Sequence, residues 1–77
     1  MAKGIHISTM RAMLNSGDPC DLVLLTKDGH VQRWKDAISI SYNAQTGTRK
    51  CRLQKSREIR QCRDVLILQI NSLYVYL

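Results

Sequence analysis

Apolar residues along this chain follow two periods. Around residues 8–15, Met10, Met13 and Leu14 recur at i, i+3 and i+4, the spacing of one helix face. Ser8 is placed to cap that helix, and Gly17 with Pro19 supplies a stop. The pattern predicts one helix over about 8–15, its Met and Leu stripe packed on a core. From residue 21 onward the period falls to two, and strands follow one another to the end of the chain. Leu22 to Thr26 is a short apolar run, and Asp28-Gly29 after it marks a hairpin turn. The next strand runs from His30 toward Tyr42. In it Ile38, Ile40 and Tyr42 alternate with Ser39 and Ser41, which predicts one buried face and one wet face. The alternation breaks at Lys35-Asp36-Ala37, the mark of a bulge that lets a small sheet curl.

Asn43 to Gly47 reads as a polar loop. Beyond it Cys51 and Leu53 share one strand face, and Lys50, Arg52 and Gln54 share the other. Lys55-Ser56-Arg57 makes a turn and the strand returns. With a two-residue loop at Ser56-Arg57, Leu53 faces Arg60 and Cys51 faces Cys62. Arg60 is expected to join Lys50 and Arg52 on the outer side, with Cys51, Leu53 and Ile59 pointing inward. Val65 to Ile70 is the most apolar run, and Asn71-Ser72 turns the chain into a last strand, Leu73 to Leu77. A terminal apolar strand of this kind is expected to pair within the sheet or to complete a sheet in a partner.

Taken together, the strings Gly47-Thr48, Cys51-Arg52-Leu53, Glu58-Ile59-Arg60, Leu66-Ile67, Ile70-Asn71 and Val75 resemble small proteins of bacterial mobile elements and phages. The resemblance covers most of the chain and implies a short helix followed by a β-meander with an Asn-Gly-like turn before the last strand. Two positions depart from it: Ser72 stands where a glycine is expected, and the turn at 55–57 has none. The family brings no assigned activity and no functional residues.

Seventy-seven residues with 44% apolar composition and one proline describe one folded domain over 1–77. The expected architecture is mostly β: a short N-terminal helix and about five antiparallel strands, curled into a small SH3-like or OB-like barrel. The longest apolar runs are far below the roughly 20 residues of a spanning helix, which makes a cytoplasmic protein without membrane contact the expectation.

The charge is uneven. Arg49, Lys50, Arg52, Lys55, Arg57, Arg60 and Arg63 are opposed within their own stretch only by Glu58, giving 7 − 1 = +6, the net charge of the whole chain. A concentrated positive field attracts polyanions. Lys50, Arg52, Lys55, Arg57, Arg60 and Arg63 are therefore the candidate nucleic-acid-binding residues, on a two-stranded ribbon of the kind that follows a phosphate backbone. The partner is expected to be DNA or RNA, without sequence preference. The competing expectation is a protein-interaction or self-assembly module that pairs the Leu73 to Leu77 edge with a protein partner or a second copy.

Other chemistry finds little support. His6 and His30 are the available bases, and neither has a partner near in sequence. Asp18, Asp21, Asp28 and Asp36 lie at turns and strand ends, where carboxylates bond local backbone. Cys20, Cys51 and Cys62 lack C-x-x-C spacing and a secretion signal, and read as reduced thiols. The four glycines are isolated and form no phosphate loop. No enzyme, metal, cofactor or small-molecule substrate is expected.

Overall fold

The computed structural model describes residues 3–77. The chain runs β1 (Gly4–His6), α1 (Ile7–Asn15), β2 (Cys20–Leu25), β3 (Val31–Asn43), β4 (Thr48–Leu53), β5 (Ile59–Arg63), a 3-10 turn (Asp64–Leu66), β6 (Ile67–Ile70) and β7 (Leu73–Tyr76). Helix α1 forms as its pattern predicts, burying Ile7, Met10 and Leu14. Its N-cap is His6, not Ser8: the His6 Nδ1 accepts the Ser8 N–H at 3.1 Å, because β1 carries the extended chain as far as His6. Gly17, at φ +85°, ends the helix in a conformation that glycine adopts without penalty.

All seven strands belong to one mixed sheet, ordered β1-β7-β6-β2-β3-β4-β5. The expected barrel of about five antiparallel strands is corrected on two points. Among the described residues there are seven strands, one of them the N-terminal Gly4–His6, which pairs parallel to β7. The sheet also stays open. After β5 the 3-10 turn carries the chain away, and β6 pairs with β2, leaving β5 as an edge. A cleft of about 250 Å3, lined by Leu24, Trp34, Cys62 and Arg63 among others, remains where β5 comes round toward β2 without pairing to it. The residues 65 and 66 expected at the head of a long strand form this turn instead.

The terminal strand is not an edge. β7 (Leu73–Tyr76) lies between β6 and β1, so of the two expectations for the last strand it is pairing within the sheet that is seen, and among the described residues the edge strands are β1 and β5. The turn before it, at Asn71-Ser72, is the two-residue hairpin that the sequence predicts, with Ile70 facing Leu73. Both turn residues have positive φ, 49° and 68°, the signature of a type I′ turn. Asn71 is anchored further, its Oδ1 accepting the Asp21 N–H at 2.9 Å.

One face of the sheet is covered by α1 and holds the core: Met10, Leu14, Leu22, Leu24, Trp34, Ala37, Cys51, Ile67 and Ile70 are buried together. The other, outer face is uncovered. Bulges set which side chains reach which face. Strand β3 meets β2 with a register shift between Cys20 and Leu22, at Asp36 with φ 52°, where the Asp36 N–H donates to the Asp21 carboxylate. The break expected at Lys35-Asp36-Ala37 is there. It also reverses the expected alternation beyond it, so that Ala37 and Ser39 point inward and Ile40 is exposed. A second shift between Ser39 and Ser41 brings Tyr42 back to the inner side opposite Arg49.

Candidate nucleic-acid interface

The β4–β5 hairpin is longer at its tip than a two-residue loop. The Leu53 N–H donates to Glu58 O and the Arg57 N–H to Leu53 O, closing a loop over Gln54–Arg57 with Arg57 at φ 57°. The register therefore moves by two residues: Cys51 faces Arg60, Arg49 faces Cys62, and Arg52 faces Ile59. Directly opposed residues share a face, which splits the basic set. Lys50, Arg52 and Arg63 project from the outer face, with Gln61, Ile59 and Thr48 as their cross-strand neighbours. Lys55 and Arg57 stand in the loop at its end. Arg60 belongs to the opposite face and is held by Glu58 through hydrogen bonds of 2.8 and 3.1 Å. The expected grouping of Arg60 with Lys50 and Arg52 is corrected, and so is the inward placing of Ile59, which is 61% exposed; Arg60 opposes inward Cys51 and Ile59 opposes outward Arg52, a facing that a two-residue shift leaves unchanged.

The largest departure from a purely superficial charge is Arg49, 1% exposed. Its Nε and Nη2 donate to the two oxygens of Asp64 at 2.8 and 2.9 Å, a bidentate pair. Its Nη1 donates to Asn15 Oδ1 at 2.9 Å and to Ser39 Oγ at 2.7 Å. Tyr42 lays its ring 4.7 Å from the guanidinium carbon, and Arg11 adds a third donor to Asp64 at 3.2 Å. Burial alone would make Arg49 easier to deprotonate, but the hydrogen bonds and charge of Asp64 more than compensate and hold the guanidinium more firmly charged than a free arginine. This cluster ties α1, β3, β4 and the 3-10 turn together. Among the described residues no buried side-chain polar atom lacks a partner, so the site is a satisfied structural pin. The sequence offers Asp64 as one acid among six, and nothing local marks it as the partner of Arg49.

Five basic residues of the 49–63 stretch consequently remain without an ion pair among the described residues: Lys50, Arg52, Lys55, Arg57 and Arg63. A polar groove of about 570 Å3 runs beside Lys50 and Gln61 under the Asn43–Thr46 loop. Strand β3 extends the same outer face with Arg33 and Lys35, two cations outside the 49–63 stretch.

The cysteines lie beneath this surface as free, buried thiols. Cys51 and Cys62 are diagonal neighbours, not opposed. The hydrogen bond from Cys62 draws the Cys51 thiol down in spite of burial, with Arg49 helping, and the same bond together with burial pushes the Cys62 thiol up. Among the described residues no three His, Cys, Asp or Glu side chains converge on a metal position, and no helix is long and apolar enough to cross a membrane. Comparison with protein-family models, curated proteins and solved structures gives no match, so the functional reading rests on geometry alone.

Proposed function

We propose that the protein binds nucleic-acid phosphates, without sequence preference, on the outer face of the β4–β5 hairpin. The observation that carries this reading is the co-facial placing of Lys50, Arg52 and Arg63, continued at the tip by Lys55 and Arg57, with no carboxylate among the residues of β4 and β5 themselves. Lysine and arginine on a ribbon meet phosphate as mobile point charges and planar forks respectively, and both release counterions on contact. Arg49 and Arg60 take no part, since Asp64 and Glu58 already hold them.

Fluorescence anisotropy with a labelled duplex across a salt series tests this. Five phosphate contacts give a slope of about −4.5 in log affinity against log salt. Lys50→Glu with Arg52→Glu is expected to abolish binding, while Arg60→Gln changes it less than about twofold, because Arg60 occupies the other face; a twofold change is below ~0.5 kcal/mol. Absence of binding at low salt, or an equal loss from Arg60→Gln, sinks the proposal.

A further inference from the structure

The outer face carries a second feature at its other end. Tyr74 and Tyr76 are 50% and 56% exposed. Alternation along β7 sends Leu73 and Val75 inward against the core and both tyrosines outward. Tyr76 meets His6 edge to face at 5.5 Å, and its ring lies over Gly4, where an added Cβ would stand 3.4 Å from Tyr76 Cδ1. The rings are thus displayed on a sheet surface, with a glycine beneath one of them.

Sheet register joins these rings to the cations. Tyr74 pairs with Gln69, Gln69 with Val23, and Val23 with Arg33: one row crosses four strands of the outer face. At about 4.8 Å per strand, Tyr74 and Arg33 are roughly 14 Å apart along the sheet. A groove of about 210 Å3 lies on this row, lined by Val23, Arg33, Lys35, Gln69 and Ser72 among others. Asp21, also on its wall, has its carboxylate engaged with the Asp36 N–H.

We infer that this face is a binding site for a single nucleic-acid strand, with bases stacked on Tyr74 and Tyr76 and the backbone led by Arg33 and Lys35 toward Arg52 and Lys50. The inference rests on the phosphate-binding reading above and adds the type of strand and a second set of residues. Single-strand sites combine a cationic track with aromatic platforms, because every base has a π-face to stack while only a few groups of a paired duplex are open to stacking. A second copy of this chain is the poorer occupant: it would set the cations of one net +6 molecule against those of another.

Anisotropy with a labelled oligothymidylate of about 12 nucleotides and a duplex of equal length separates the outcomes. The wild-type protein is expected to prefer the single strand. Tyr74→Ala with Tyr76→Ala should weaken single-strand binding at least ~10-fold, given the usual worth of a stacked base, and leave duplex binding within about twofold. Tyr74→Phe with Tyr76→Phe should retain it, because the ring does the stacking. Both tyrosines are half-exposed, and an unshifted urea midpoint followed by Trp34 fluorescence checks that the fold survives. Unchanged single-strand binding in the alanine variant, with loss still seen in Lys50→Glu, Arg52→Glu, overturns this inference and leaves the hairpin reading standing. A dimer by light scattering that the alanine variant abolishes also overturns it, in favour of self-association. Failure of both oligonucleotides to bind at low salt removes the two readings together.

Discussion

Replacing Asp64 by alanine removes the acceptor of three arginine N–H groups, two from Arg49 and one from Arg11. Arg49 would stay in a site that leaves it 1% exposed, with the neutral oxygens of Asn15 and Ser39 as its remaining partners. Breaking a buried pair by deleting one member typically costs about 3–5 kcal/mol, since an uncompensated charge is left behind. A 77-residue domain holds on the order of 4–12 kcal/mol in all, so Asp64→Ala should consume a large part of that stability. Urea unfolding reads this directly. Trp34 is the one tryptophan and is 4% exposed, which makes its emission a core-specific probe. With a urea m-value of about 1 kcal/mol/M for a small domain, the midpoint should fall by roughly 3 M at an unchanged m. Arg49→Met gives the complementary single variant. The double variant should recover part of the loss, with a coupling energy of at least ~2 kcal/mol in the cycle. A cost below about 1 kcal/mol for Asp64→Ala would refute the reasoning, because exposed ion pairs are worth that little.

Two further outcomes follow from the same geometry. Ser72→Gly should raise stability by about 0.5–1 kcal/mol in urea unfolding, since Ser72 sits at φ 68° where a side chain is strained and glycine is not; a lower midpoint would show that the serine contributes a contact of its own. Stability should also fall as pH rises above about 9. Cys20 has its pKa raised from 9.0, chiefly by burial. The unfolded chain then releases a thiol proton that the folded chain keeps, and stability is complete below the unfolded value and lost above it. Midpoints at pH 8 and pH 10 measure the slope, and Cys20→Ala should reduce it; a slope unchanged by that substitution contradicts the assigned shift.

The local sequence determined much of this protein. The i, i+3, i+4 stripe of Met10, Met13 and Leu14 made a helix, Asp28-Gly29 and Asn71-Ser72 made turns, and the break at Asp36 made a bulge, since each depends on neighbours a few residues away. The charge concentration between Arg49 and Arg63 is likewise a property of the chain alone. What tertiary structure decided was direction and partnership. A loop two residues longer than the shortest hairpin changed which residues oppose one another across β4 and β5. Arg60 shares the face of Cys51 and not that of Lys50 and Arg52 because it stands opposite Cys51, and bulges in β3 exposed Ile40 while turning Ser39 and Tyr42 toward Arg49. In a strand the facing of every side chain depends on register, which is fixed by pairings remote in sequence. The parallel strand Gly4–His6 is too short to announce itself and exists only because β7 offers it an edge. Arg49 shows the same division most plainly. It is one of seven basic residues in its stretch, and only the 3-10 turn that brings Asp64 beneath it makes it part of the interior, leaving Lys50, Arg52, Lys55, Arg57 and Arg63 to face the solvent.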